Sequence, residues 1–109
     1  MKLSENPCVP CQGNTLSLSH EKCKNLLNEL GGEWILNSQG HLEKTYHFKT
    51  FLKTMEFANK ITQIAEHADH HPDFYISWGI LRVEIWTHKI QGLSESDFYL
   101  AAKIEDLDH

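Results

Sequence analysis

The chain has 109 residues, of which 40 % are hydrophobic and 23 % charged, and its formal net charge is −5. This length and composition are typical of one water-soluble globular domain. No apolar run approaches the roughly 18 residues that a membrane span needs. The first residues show no secretory signal, and no basic stripe is present that could follow a phosphate backbone. We therefore expect a cytoplasmic protein that binds neither membranes nor nucleic acid directly.

The first sixteen residues are predicted to form a loose N-terminal arm, and residues 17–109 a single domain. The arm contains Cys8 and Cys11 at CxxC spacing. A structural zinc site needs four ligands, and the chain has no second CxxC. A redox CxxC normally follows a strand and opens a helix, whereas this one lies in a polar segment with proline and glycine. We therefore favour an N-terminal arm whose cysteines bind no metal and have no redox role, and a metal or redox role is the alternative.

The domain begins with a helix and a β-hairpin. Ser19 is a candidate N-cap, and Cys23, Leu26 and Leu30 follow at helical spacing until two glycines end the helix. This spacing makes Cys23 a small core residue rather than a reactive thiol. Residues 33–37 and 42–49 are predicted strands on either side of a turn, because the second segment alternates with period two.

A long apolar stripe predicts a second helix over residues 51–68. Pro72 disfavours helical geometry at His71, so this helix must end near Asp69 or His70. Residues 74–78 and 80–87 are predicted strands, and Ser94 with Asp97 resembles a capping box that opens a last helix. The order α-β-β-α-β-β-α predicts an α+β two-layer sandwich, with helices on one face of a four-stranded antiparallel sheet.

Histidines crowd the end of the second helix, where His67, His70 and His71 lie within five residues, and His88 follows in the next part of the chain. Histidines three or four apart on one helix could share a metal, but Pro72 takes His71 out of helical geometry. Solvated surface histidines are a second interpretation, because an imidazolium suits a helix C-terminus. The third is acid–base chemistry, since imidazole titrates near pH ~6.5.

Four segments together carry a resemblance to a known family: His70-His71-Pro72, Thr87-His88, Gly92-Leu93-Ser94 with Asp97, and Tyr46-His47-Phe48-Lys49 with Phe51. They resemble pterin-4a-carbinolamine dehydratase, a family also called the dimerisation cofactor of a homeodomain transcription factor. The likeness extends from Leu18 to Leu107.

The resemblance implies loss of water from a 4a-hydroxytetrahydropterin, with no metal or organic cofactor. His70 and His88 would form the proton-transfer pair, and His71 would hold and orient the pterin. The implied substrate-binding residues are Glu66, Asp69, Pro72 and Thr87. The implied context is the recycling of tetrahydropterin for aromatic amino-acid hydroxylases, by a homodimer or homotetramer. An oligomeric protein-binding module without physiological catalysis is the alternative function.

Overall fold

Three helices and four strands follow one another in the predicted order. The structure, a computed structural model, describes residues 3–8 and 17–107. The helices are α1 (His20–Leu30), α2 (Phe51–Ala68) and α3 (Glu95–Glu105), and the strands are β1 (Ile35–Leu36), β2 (Leu42–His47), β3 (Asp73–Ser77) and β4 (Ile80–Ile85). The predicted α+β fold class is confirmed. None of the helices in the described ranges is long and apolar enough to cross a membrane.

The four strands form one antiparallel sheet in the order β1-β2-β4-β3. In this register Tyr46 lies opposite Leu81, and Leu42 opposite Ile85. Side chains of paired residues share a face, so the buried residues of β2 and β4 lie together beneath the helices. The hydrophobic core therefore lies between the sheet and the helical layer, and among the described residues the other face of the sheet carries no helix. The sheet contributes five residues to this core: Leu42, Tyr46, Leu81, Val83 and Ile85.

The bounds of α2 match the predicted range at both ends. Thr50 caps the first turn by accepting a hydrogen bond from the Lys53 backbone N–H at 3.0 Å. Asp69 ends the helix in a left-handed conformation, with φ of 53°. Three of the strands are shorter than predicted, since β1 pairs over two residues, β2 ends at His47 and β4 ends at Ile85. β3 keeps its predicted length and begins one residue earlier. Beyond that point, Thr87 makes an isolated bridge to Gly92 and the chain turns away from the sheet.

A buried charge lies on the core face of β2. Lys44 is buried there and forms an ion pair with Glu105, in the last turn of α3. The same carboxylate accepts hydrogen bonds from Trp34 Nε1 at 2.9 Å and from the Tyr46 hydroxyl at 3.2 Å. Burial alone would raise the pKa of Glu105, but the hydrogen bond and charge of Lys44, with the other two donors, hold it below its ordinary value. This cluster ties the end of α3 to the sheet.

The beginning of the chain packs onto α3. Leu3–Glu5 forms a 3-10 helix, and Leu3 joins the hydrophobic core. Lys103 Nζ donates to the carbonyl oxygens of Ser4 at 2.7 Å and Asn6 at 2.5 Å. The expectation of a loose arm is therefore wrong for residues 3–8, which are docked, while residues 9–16 lie outside the described part of the chain.

Candidate active site

One cleft collects side chains from two distant segments of the chain. It has a volume of about 350 Å³ and lies where the end of α2, the start of β3 and the turn after β4 meet. Six of the seven residues predicted for the site line it. The exception is Glu66, which lies outside and contacts His71. The lining residues are Asp69, His70, His71, Pro72, Asp73, Trp86, Thr87, His88 and Lys89.

The end of α2 places the adjacent His70 and His71 in different environments, one partly buried and one exposed. Because Asp69 is left-handed, the backbone N–H of His70 returns to the Ala65 carbonyl at 3.2 Å and closes the helix. The side chain of His70 is 13 % exposed, whereas that of His71 is 56 % exposed. The turn thus directs His70 into the protein and leaves His71 at the rim of the cleft.

His70 is held by a buried carboxylate. Its Nε2 lies 2.6 Å from Asp97 Oδ1, and the Asp97 side chain is fully buried. The second oxygen, Oδ2, accepts from the Thr87 hydroxyl at 2.7 Å and from the Ser94 backbone N–H at 2.8 Å. Asp97 also lies in the first turn of α3, where the helix dipole stabilises a negatively charged side chain.

The contact with Asp97 determines the tautomer of a neutral His70. A carboxylate only accepts hydrogen bonds, so the bonded Nε2 of a neutral His70 carries the proton and Nδ1 has the free lone pair. Asp97 was predicted as part of the capping box, which the structure confirms, and it is one of the residues that carry the family resemblance. It was not assigned to the site, because nothing in the spacing shows a contact between residues 27 apart.

The remaining histidines of the cluster do not converge on one point. His71 Nε2 lies 2.6 Å from Glu66 Oε2, in a pair that is open to solvent on both sides. His67 is exposed and lines a separate cavity beside Cys8. Within residues 3–8 and 17–107, no three histidine, cysteine or acidic side chains are grouped so that they could hold a metal ion.

His88 enters the cleft from a closed turn. Thr87 N donates to the Gly92 carbonyl at 2.8 Å, which brings the two ends of the turn together. Gln91 completes it with a φ of 48°. The ring of His88 stacks on Trp86, with 3.8 Å between the ring centroids. Trp86 was not predicted for the site, although its place two residues before His88 puts it beside the same cleft.

The family model described as Pterin 4 alpha carbinolamine dehydratase matches residues 16–107. The chain belongs to this family. Members of the pterin-4a-carbinolamine dehydratase family are by name hydro-lyases, and the predicted resemblance is confirmed. The match spans the three α-helices, the four strands and both segments that line the cleft.

Relatives in this family resemble the chain over nearly its whole length. A Rickettsia bellii protein named "Putative pterin-4-alpha-carbinolamine dehydratase" is 54 % identical and covers 98 % of this chain and 95 % of its own. A protein of the same name from Alkaliphilus metalliredigens is 43 % identical, with coverage of 94 % and 93 %. The crystal structure of a transcriptional coactivator/pterin dehydratase from Brucella melitensis has a TM-score of 0.74 and 26 % identity, covering 82 % of this chain and 95 % of that one.

Cys8 and Cys11 precede residues 16–107, the part of the chain that the family model matches. Burial raises the pKa of the Cys8 thiol above its ordinary value, against the opposing effect of Lys103. The Cys8 Sγ lies 3.6 Å from the Ser96 carbonyl oxygen. Cys11 falls outside the described residues, so the metal or redox alternative for the pair stays a prediction. Cys23 is buried in the core, as its helical spacing predicted.

Proposed function

We propose that this chain dehydrates a 4a-hydroxytetrahydropterin to the quinonoid dihydropterin by histidine acid–base catalysis. The observation that carries the proposal is the meeting of His70, His71 and His88 in one cleft, with His70 anchored on the buried Asp97. A volume of about 350 Å³ lies in the range of small-molecule sites. Catalysis of this kind needs neither a metal nor an organic cofactor.

The reaction requires two proton transfers on one ring. The C4a–O bond breaks as a proton reaches the departing hydroxyl, which leaves as water. The N5–H proton passes to a base, and its electron pair forms the new C4a=N5 bond. One protonated histidine and one neutral histidine supply both steps, and solvent restores their protonation states after each turnover. We assign these steps to His70 and His88, because they approach the cleft from separate segments of the chain.

The other predicted residues surround this pair. We assign His71 to holding the pterin at the rim, where Glu66 orients its ring. Asp69 and Pro72 shape the wall formed by the end of α2, and Asp69 also offers a carboxylate to the donors of the pterin. Thr87 acts through its hydroxyl on Asp97 and thereby supports His70.

The test is dehydration of a carbinolamine generated in the assay, followed as formation of the quinonoid product. We expect His70→Ala and His88→Ala each to lower kcat by about 10²–10⁴-fold, the usual contribution of one positioned acid or base. His67→Ala is the matched control, because His67 lies three residues before His70 in the last turn of α2 but lines another cavity. If the wild-type protein consumes the carbinolamine no faster than buffer does, the proposal is wrong.

We further propose that the chain works as a homodimer or homotetramer. β3 is an edge strand, and its side chains Tyr75 and Ile76 are 48 % and 37 % exposed. An exposed edge with large apolar side chains is a typical site of strand pairing. Sedimentation equilibrium should give a mass of two or four chains, and Ile76→Lys should lower it. A monomer at micromolar concentration would contradict this.

A protein-binding role is the second candidate, favoured by the Brucella neighbour, whose name joins a transcriptional coactivator to a pterin dehydratase. The two roles separate in one experiment. A His70→Ala, His88→Ala double variant should lose dehydration yet still capture a partner from the source cell. The recycling of tetrahydropterin for aromatic amino-acid hydroxylation and the cytoplasmic location belong to the same proposal.

A further inference from the structure

Trp86 lies against two histidines at the end of β4. Its ring stacks on His88 at 3.8 Å between centroids, and on His41 at 4.2 Å with an interplanar angle of 8°. Its Nε1 donates a hydrogen bond to Asp73 Oδ2, at 3.1 Å, on the neighbouring strand β3. The indole is therefore fixed in its plane by β3 and supported on its face by His41.

The side chain of His41 is held by Glu84, a residue of strand β4. Its Nδ1 lies 2.6 Å from Glu84 Oε2, and its side chain is only 12 % exposed. Asn37 Nδ2 donates to the same carboxylate oxygen at 3.0 Å. Burial alone would raise the pKa of Glu84, but the hydrogen bonds from His41 and Asn37, and the charges of His41 and Arg82, hold it below its ordinary value. Glu84 thus stays an acceptor that locks the ring of His41.

The two histidines assigned to proton transfer differ in what orients them. His70 is oriented by a hydrogen bond from one ring nitrogen to Asp97. Within the described part of the chain, the side chain of His88 makes no hydrogen bond, and its ring contact is the stack on Trp86. An exposed histidine side chain without a stacking partner would lose conformational entropy when the substrate binds and fixes its rotamer. The stack can orient the ring while both of its nitrogens remain open to the cleft.

We infer that His41 and Trp86 are positioning residues that hold the His88 ring for proton transfer, with Glu84 as their anchor. The chain of contacts runs from Glu84 to His41, to Trp86 and to His88. His41 does not line the cleft, and its ring contact with the cleft residues is the stack on Trp86. This inference rests on the proposed dehydratase function for its catalytic part, and on the stack alone for its structural part.

The first readout is the NMR spectrum of the free protein. The ring current of an indole stacked at this distance moves the carbon-bound ring protons of His88 upfield. We expect these resonances to move downfield in Trp86→Leu and to be partly restored in Trp86→Phe, which keeps a flat ring. Trp78→Leu is the matched control, because Trp78 is 66 % exposed and does not line the cleft. Unchanged His88 resonances in Trp86→Leu would overturn the inference.

The second readout is steady-state dehydration by His41→Ala and His41→Phe. A misplaced catalytic group costs up to about 10²-fold, so we expect His41→Ala to lower kcat by roughly ten- to a hundredfold with KM little changed. His41→Phe keeps a stacking ring and should recover part of the loss. A kcat of His41→Ala equal to that of the wild type would overturn the positioning role. An inactive wild-type protein that retains the upfield His88 resonances would instead overturn the proposed function and leave the stack established.

Discussion

Replacing Asp97 by asparagine tests the assignment of His70 most directly. The asparagine amide has one acceptor oxygen where the carboxylate has two, so one side of it must present an NH₂ group. If the oxygen faced His70, the NH₂ would oppose the Ser94 N–H, and a buried donor without a partner costs about 1–3 kcal/mol. We expect the other orientation, with the NH₂ group toward His70.

That orientation reverses the tautomer of His70. Its Nε2 becomes the acceptor, and its Nδ1 carries the proton, so a neutral His70 can no longer exchange protons in the way that the wild-type tautomer allows. We expect kcat to fall by about 10²–10⁴-fold, which is the contribution of a positioned acid or base. This corresponds to about 3–5 kcal/mol in the activation barrier. The loss in unfolding free energy should be smaller, about 2 kcal/mol, because each charge-assisted hydrogen bond is replaced by a neutral one.

Three measurements together decide the point. Rates of carbinolamine dehydration give the loss in kcat, urea denaturation gives the loss in stability, and ¹⁵N chemical shifts of His70 report the tautomer. Thr50→Ala is the control, since it removes the N-cap of α2 and about 1 kcal/mol of stability at the helix end opposite the cleft. An Asp97→Asn protein that keeps the wild-type kcat, or keeps the proton of His70 on Nε2, would refute the reasoning.

Two further predictions concern stability. Glu105→Gln leaves Lys44 buried without its counter-charge and should cost about 3 kcal/mol at pH 7. Because the pKa of Glu105 is held below its ordinary 4.5, its contribution is complete above that pH and fades as the pH falls. The difference between wild type and variant in urea denaturation should therefore shrink below pH 4.5, and a constant difference would contradict the mechanism. Gly92→Ala would place a methyl group 2.7 Å from the Cβ of Ser17 and should cost about 1–3 kcal/mol by overpacking. Adding Ser17→Gly should restore part of that loss, measured as a change in Tm, and no recovery would mean that the clash is not the cause.

The sequence was sufficient for the elements whose signals are local. The range of α2 follows from its apolar stripe and from the residues that can and cannot continue a helix before Pro72. The capping box at Ser94 also depends on neighbours three residues apart. The ends of the strands were predicted less well, since a strand ends where its partner does, and the partner of β1 is set by the hairpin.

Contacts between distant residues could not be read from the pattern. The alternation in β2 placed Lys44 on the core face without showing that Glu105 would neutralise it, 61 residues later. His41 carried no prediction, and its contacts with Glu84 and Trp86 arise from the pairing of β2 with β4. The resemblance identified the cleft histidines, whereas their supports, Asp97 and Trp86, are tertiary contacts.

Thr87 is connected to the supports of both proposed catalytic histidines. Its backbone closes the turn that carries His88, and its hydroxyl holds the carboxylate that holds His70. A short path of one covalent neighbour and two hydrogen bonds therefore links the two rings. A change at Thr87 would disturb the support of His70 and the turn that carries His88 at once.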